Sequence, residues 1–215
     1  MSAPRSYGEN CSLARAMDLL GERWTMLIVR ELARGPKRFG DLSDSLTGIG
    51  TTMLAARLKR LQAAEVIERA ERAPGVAGYR LTPRGERLAR ALSELMLWGL
   101  ELSGPYQPGG RSRAALMAMN MQSALDRTDR AAPPGTYAFD VGAEHFWLFI
   151  PHEGPSVLRD GVPPHPADAT LTIAPEDFGA LAAGTPFSEL DAVGAGDHDR
   201  LVELLQLFQV PSVPS

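Results

Sequence analysis

The stretch GIGTTMLAARLKRLQAAEVIERAE, residues 48–71, decides the fold of the first half of this chain. A glycine-containing turn leads into residues 51–64, whose apolar positions have the spacing of an amphipathic helix. At 100° per residue, Leu54, Leu58 and Leu61 fall within about 60° of each other and predict one buried stripe. The residues after the helix alternate apolar and charged side chains, which is typical of a strand.

The other side of this helix is small, hydroxylated and basic. Small side chains permit close approach to a DNA groove, threonine donates hydrogen bonds to phosphates or base edges, and lysine and arginine reach guanine or the backbone. The alternative is a solvated amphipathic helix, because such helices are also often basic outside. The candidate DNA contacts are Thr52, Ala55, Ala56, Lys59 and Arg60, with Thr51 and Arg57 flanking the leucines.

The flanking segments favour the DNA-binding interpretation. Helical spacing predicts helices over residues 12–20, 22–34 and 38–46, before the helix at 51–64. Residues 65–82 predict a β-hairpin with a Pro-Gly turn, and its candidate DNA contacts are Arg69, Arg72 and Arg80. Together these elements predict a winged helix-turn-helix, with the second helix in the major groove and the hairpin against flanking phosphates.

Residues 11–98 resemble the HxlR-type winged-helix regulators, which are relatives of the MarR group. The resemblance is carried by CSLARAMDLLGERWTMLIVRELARGPKRFGDL, GIGTTMLAARLKRLQAAEVIER, YRLTPRGERL and a closing WG. It implies a dimeric transcription factor that binds a double-stranded DNA operator. The chain departs from the family pattern at Gly50-Thr51, where the family often has Ser followed by Pro or another residue.

The helix predicted over residues 83–102 begins with Pro83, which suits a first helical position. Its leucine stripe has two interpretations. It forms a two-fold dimer interface together with the segment near Leu13 and Trp24, or it only covers its own domain. We expect the dimer, because sequence-specific DNA binders commonly pair. The stripe consists of Leu88, Leu92, Leu95 and Leu102.

Cys11 is the only cysteine and precedes the first predicted helix. A helix N-terminus can lower the pKa of a thiol. The family resemblance implies a redox or electrophile sensor at this position in some members, while other members have the cysteine without a known sensing role. Cys11 is therefore a candidate redox site with both interpretations open.

The charge distribution divides the 215 residues into two modules. The net charge is −4, but residues 1–105 contain 16 basic and 12 acidic residues, whereas residues 106–215 contain 6 and 14. The halves thus have net charges of +4 and −8 and are expected to have different partners. The Gly- and Pro-rich segment 103–113 is the predicted boundary between a DNA-binding and dimerisation domain, 1–105, and a second domain, 106–215.

The second half predicts a small α+β domain, a sheet covered by helices. Residues 136–208 are similar to sterol-carrier-protein-2-like domains, through ADATLTIAPEDFGALAAG and GDHDRLVELLQLF. The resemblance implies binding of a lipid or another apolar molecule between sheet and helices. The alternative is an ordinary filled core. The candidate ligand contacts are Met117, Met121, Phe146, Trp147, Phe149, Phe178, Leu204 and Phe208.

Other function classes find little support in the sequence. The four histidines lack the spacing of helical metal sites and are expected at the surface, and no nucleophile elbow or phosphate loop occurs. We predict no metal, no cofactor and no enzymatic activity. No apolar run approaches the roughly 20 residues that span a membrane, and the N-terminus lacks an apolar signal segment, so a cytoplasmic protein is expected.

The sequence thus favours a dimeric DNA-binding regulator, acting as a repressor, whose second domain senses an apolar effector. The main alternative is a lipid-binding protein whose winged helix mediates protein interaction.

Overall fold

The structure, a computed structural model, describes residues 6–73, 75–102, 113–127 and 132–208. The chain forms two compact units, Met1–Leu92 and Ser93–Ser215. This division falls inside a helix, whereas the predicted boundary at 103–113 lies almost entirely outside the described residues. The α+β class with a winged helix-turn-helix followed by a sheet-and-helix region agrees with the prediction.

The first unit has the predicted order of helices and a hairpin. Its core consists of apolar side chains of the second to fourth helices and the first strand, including Ile28, Leu42, Leu54 and Ile67. The elements are α1 (Ser12–Leu20), α2 (Thr25–Ala33), α3 (Phe39–Ser45), α4 (Thr51–Ala63), β1 (Ile67–Ala73), β2 (Val76–Leu81) and α5 (Pro83–Leu102).

The hairpin of β1 and β2 is antiparallel, with Ile67 opposite Leu81. Lys37, just before α3, extends it: its amide donates to the Tyr79 carbonyl at 3.0 Å, and the Tyr79 amide donates to the Lys37 carbonyl at 2.8 Å. These two bonds attach the hairpin, which is the wing, to the helix-turn-helix and fix its position there.

The second helix begins three residues later than predicted. Trp24 has φ 80° and ψ −20°, a left-handed conformation that is rare for a bulky residue and cannot continue a helix. Residues 22–24 therefore form a turn, and α2 begins at Thr25. The helical spacing that included Trp24 was wrong because the tryptophan is positioned by a distant contact: its ring lies against Gly48.

The junction of the hairpin and α5 is tight. The Thr82 hydroxyl donates to the Glu65 carbonyl at 2.6 Å and accepts from the Gly85 amide at 3.1 Å, so it caps the helix that Pro83 begins. A Cβ on Gly85 would lie 2.1 Å from the Val66 carbonyl oxygen. Glycine at this position is therefore required by the close approach of Val66, which directly precedes β1, to α5.

The second unit is a five-stranded sheet with helices packed on one face. The strand order is β5-β4-β3-β6-β7; β3 and β6 are parallel, and the other neighbours are antiparallel. The last strand lies slightly later than the predicted 190–193. Asp197 caps the last helix as predicted, because its carboxylate accepts a hydrogen bond from the Arg200 amide at 3.2 Å. The elements are α6 (Ala114–Leu125), β3 (Gly135–Val141), β4 (Glu144–Ile150), β5 (Val157–Asp160), β6 (Ala169–Ile173), α7 (Pro175–Ala182), β7 (Ala192–Gly196) and α8 (His198–Leu207).

Candidate nucleic-acid interface

Helix α4 is the second helix of the helix-turn-helix and has the predicted two-sided character. Leu54, Leu58 and Leu61 are buried, so the leucine stripe is in the core as expected. Gly50 precedes the helix in an extended conformation and has no side chain to cap it. The first-turn amides are therefore left for solvent or an anion. Beside them, Met53 is 43% exposed. We give the name α4 outer face to the exposed residues Thr51, Thr52, Ala55, Ala56 and Lys59.

Arg57 and Arg60 are held by the turn between α1 and α2 and by Asp18 near the end of α1. An Arg57 Nη2 atom lies 2.7 Å from a Glu22 carboxylate oxygen, and its Nε donates to the Arg23 carbonyl at 3.3 Å. Arg60 lies 3.5 Å from the other Glu22 oxygen and donates to the Asp18 carbonyl. The two side chains are only 16% and 26% exposed. Lys59 is the third cation predicted on α4. Unlike the two arginines, it is exposed and forms no ion pair with a described residue.

Sequence reasoning missed the contribution of Glu22. It assigned this residue to the start of a helix, and helical periodicity gives no signal for a contact 35 residues away. The sequence does contain the opposite charges, but it does not indicate that the turn at residue 22 faces the flank of α4.

The wing contains two of the three predicted arginines in described positions. The Arg69 guanidinium stacks over the Tyr79 ring at 4.3 Å, a cation–π contact that leaves its edge accessible. The Arg80 Nε lies 2.7 Å from a Glu68 oxygen. Both arginines are exposed, whereas the Arg72 side chain lies outside the described residues.

The C-terminal part of α5 presents apolar side chains to solvent. Leu95, Trp98 and Leu102 are 47%, 55% and 67% exposed, and their spacing places them on one side of the helix. Leu92 is buried, so the predicted leucine stripe divides into a core part and an exposed part. In α1, Leu13 is 67% exposed. Exposed apolar side chains clustered on one face mark an interaction surface.

Cys11 is exposed and immediately precedes α1. Its carbonyl accepts from the Arg15 amide at 3.0 Å, as expected for a residue that begins a helix. Farther along α1, the Asp18 carboxylate accepts from the Ser6 hydroxyl at 2.8 Å and the Tyr7 amide at 2.9 Å. The thiol is accessible to reagents, and its role as a redox sensor stays a prediction.

The predicted ligand contacts of the second unit do not line one pocket. Trp147 and Phe149 alternate with Phe146 along β4, so they lie on the opposite face of the sheet, and Phe149 is 41% exposed. The prediction that placed these two with the others was wrong. Met117 is partly exposed, and the buried members are Met121, Phe146, Phe178, Leu204 and Phe208.

The buried members pack against each other. Phe146 stacks on Phe139 at 5.2 Å and meets Phe178 edge-on at 5.9 Å, while Phe208 lies 6.4 Å from Phe139. These rings occupy the space between sheet and helices in which the resemblance implied a lipid. A surface groove of about 290 Å³ includes one predicted contact, and it is lined by Pro134, Gly135, Phe149, Ile150, Pro151, His152, Asp168 and Arg200.

The histidines are all at the surface, as predicted. His145 is paired with Asp140 at 2.6 Å. Within the described ranges, no cluster of His, Cys, Asp and Glu side chains has the arrangement of a metal site. In the same ranges, no helix combines the length and the hydropathy that crossing a membrane requires.

Known proteins match the first half of the chain. The sequence model of the HxlR-like helix-turn-helix family matches residues 19–106. The HTH-type transcriptional regulator YodB of Bacillus subtilis is 37% identical over 92 residues, which are 42% of this chain and 82% of that protein. An uncharacterized HTH-type transcriptional regulator of Mycobacterium tuberculosis is 42% identical over 95 residues, 43% of this chain, and the chain spans only 60% of its length.

Among solved structures, quinone-bound YodB from B. subtilis is 36% identical; the match covers 42% of this chain and 98% of that chain, with a TM-score of 0.38. The described helix-turn-helix and wing coincide with the residues matched by the family. The identity to YodB, over most of that protein's length, establishes the relationship. The chain belongs to the HxlR-like helix-turn-helix family.

Proposed function

We propose that this protein is a dimeric, sequence-specific DNA-binding transcriptional regulator that reads its operator with the α4 outer face. The observation that carries the proposal is the exposed set of small and hydroxylated side chains with Lys59, above a buried leucine stripe on the second helix of the helix-turn-helix. Between Thr52 and Lys59 this surface carries the small side chains of Ala55 and Ala56, with the exposed Met53 at its edge, so the helix can approach base edges closely along the two alanines. The names of the relatives support the same role.

In this proposal the wing supplies phosphate contacts and α5 supplies the dimer interface. Arg69 and Arg80 lie on an exposed hairpin, where they can contact phosphates beside the groove. The exposed apolar residues Leu95, Trp98 and Leu102 form a surface suited to a two-fold partner helix. A dimer of winged helices reads two half-sites. We propose repression as its mode of action, through exclusion of polymerase where the operator overlaps a promoter.

The test of this proposal is selection of operator DNA by the full chain. Genomic fragments retained by the purified protein are sequenced and then footprinted. The expected result is a near-palindrome with half-sites about one helical turn apart, roughly 34–36 Å. Retention of fragments without a shared motif, or footprints on single half-sites, would contradict the proposal of a sequence-specific dimer.

Effector sensing is a separate part of the proposal. The stacked phenylalanines of the second unit would have to move apart to admit an apolar effector, so we place no preformed lipid site there. The lipid-binding alternative, with the winged helix as a protein-interaction module, requires the same opening. Thermal unfolding of the full chain with and without a fatty-acid and sterol panel tests both, because a ligand that binds the native state raises the midpoint.

A further inference from the structure

The turn between α1 and α2, residues 21–24, contacts the proposed recognition helix at several points. The Glu22 carboxylate uses one oxygen for Arg57, at 2.7 Å, and the other for Arg60, at 3.5 Å. The Arg23 carbonyl accepts from Arg57, and the Asp18 carbonyl accepts from Arg60. One flank of α4 is thereby attached, through Arg57 and Arg60, to this turn and to the end of α1.

The turn itself is fixed by local constraints. A Cβ on Gly21 would lie 2.7 Å from the Met17 carbonyl oxygen, so α1 ends in a close backbone approach. Trp24 adopts the left-handed conformation, and its ring lies 3.7 Å from the position of a Cβ on Gly48. Gly48 belongs to the turn before α4. The turn that contains Glu22 therefore touches both the entry to the recognition helix and its flank.

The negative charge of Glu22 also affects which basic side chains of α4 face the DNA. Arg57 and Arg60 lie on the element that is proposed to enter the DNA groove, yet their guanidinium groups face a carboxylate and two carbonyls. Both side chains are also largely buried, at 16% and 26% exposed, so they reach a phosphate less readily than the ion-paired but 58% exposed Arg80. Lys59, between them in the sequence, is exposed and stays on the α4 outer face.

We infer that Glu22 is a positioning and specificity-determining residue for DNA reading. It fixes the orientation of α4, and it withdraws two arginines from non-specific phosphate contacts, so that the α4 outer face contributes most to binding. The inference rests on the proposed function, since it concerns how the same surface discriminates among DNA sequences. A purely structural ion pair would stabilise the unit without affecting discrimination.

The test compares Glu22→Gln with Glu9→Gln in the full chain. Glu9 is an exposed glutamate of the same unit that forms no ion pair with a described residue. Dissociation constants are measured for a selected operator and for a scrambled duplex over a range of salt concentrations. A third variant adds Arg57→Gln and Arg60→Gln to Glu22→Gln, so that no freed cation remains.

In Glu22→Gln we expect the ratio of specific to non-specific affinity to fall by about tenfold, with the scrambled duplex bound more tightly. The slope of log K against log salt should steepen by up to about 1.8, because each of two freed arginines can add one phosphate contact worth roughly 0.9. The triple variant should lose the added slope. An unchanged ratio and slope in Glu22→Gln would overturn the inference even if the protein were less stable, because lower stability alone alters neither.

A measurement without DNA separates this inference from the proposed function. Hydrogen exchange of residues 51–63 should be about fivefold faster in Glu22→Gln than in Glu9→Gln, because the flank of α4 is released. Equal exchange rates would overturn the positioning role. The wild-type chain could select no DNA while hydrogen exchange still differs between Glu22→Gln and Glu9→Gln. That result would contradict the proposed function, although Glu22 would still be shown to fix α4 in position.

Discussion

Phe139 and Phe146 face each other across β3 and β4, with ring centroids 5.2 Å apart and planes 12° from parallel. Phe178 approaches both rings edge-on, at 6.4 Å and 5.9 Å. Such contacts add to the free energy of burying the rings. The centre of the second unit is therefore an aromatic core, and its stability should depend on which face of β4 a residue occupies.

Truncating Phe146 should cost much more stability than truncating its neighbour. Phe146→Ala removes a buried ring and leaves a cavity, so we expect a loss of about 3–5 kcal/mol in the free energy of unfolding. Trp147→Ala, on the other face, should cost less than about half of that. Urea unfolding followed by circular dichroism measures both. Equal losses would contradict the assignment of the two residues to opposite faces.

A charge in the exposed part of α5 should prevent self-association. Trp98→Glu places a carboxylate in the apolar surface formed with Leu95 and Leu102, where an unpaired charge is costly to bury. We expect the proposed dimer to become largely monomeric at micromolar concentration in sedimentation experiments. Val162→Glu, at an apolar position that is 81% exposed in the second unit, is the matched control and should sediment as wild type. Unchanged association in Trp98→Glu would place the interface elsewhere.

Two glycines of the same helix should respond oppositely to alanine. Gly85→Ala introduces a Cβ that would lie 2.1 Å from the Val66 carbonyl oxygen, so the wing and α5 must separate and the unit should lose more than about 2 kcal/mol. Gly99→Ala meets no atom within 4 Å and should be neutral or stabilising by up to about 1 kcal/mol, because alanine favours helix. Thermal unfolding distinguishes the two. A tolerated Gly85→Ala would mean that the junction is looser than described.

Tyr137 should make the second unit sensitive to alkali. Its ring is buried, its hydroxyl donates to the Pro133 carbonyl at 2.8 Å, and burial raises its pKa from 10 to about 12. The neutral phenol is favoured by folding, so this contribution is complete below pH 10 and is lost as the pH rises through 12. The free energy of unfolding should fall by up to roughly 2–3 kcal/mol over that range. In the Tyr137→Phe variant, the urea midpoint should fall less steeply with rising pH than the wild-type midpoint does. An identical decline in both proteins would exclude this tyrosine as the cause.

Local patterns predicted most of the first unit. The spacing of Leu54, Leu58 and Leu61 defined α4 and its buried side, because a helix brings residues four and three apart to one face. The Pro-Gly turn and the alternation around it located the wing. What local patterns did not provide was the turn at Trp24, whose left-handed conformation accompanies a contact with Gly48, or the partners of Arg57, which lie at Glu22 and Arg23.

In the second unit, the element types were predictable but the faces of β4 were not. The strand reads EHFWLFI, an almost continuous apolar run with no polar alternation to indicate which side faces the helices. Trp147 and Phe149 therefore look identical in kind to Phe146, although they lie on the other side of the sheet. Only strand register and helix packing separate them.

The measurement that tests the central claim most directly is the salt dependence of operator binding by Lys59→Ala. Lys59 is exposed on the α4 outer face, so its loss should weaken binding and flatten the slope of log K against log salt by about 0.9 if it contacts a phosphate. If Lys59 reads a base, the variant should instead accept changes at one operator position. Arg90→Ala, an exposed cation of α5, is the control and should leave affinity, slope and specificity at wild-type values. Lys59→Ala should lose affinity and Arg90→Ala should not; wild-type affinity, slope and specificity in Lys59→Ala would contradict the reading of DNA by this surface.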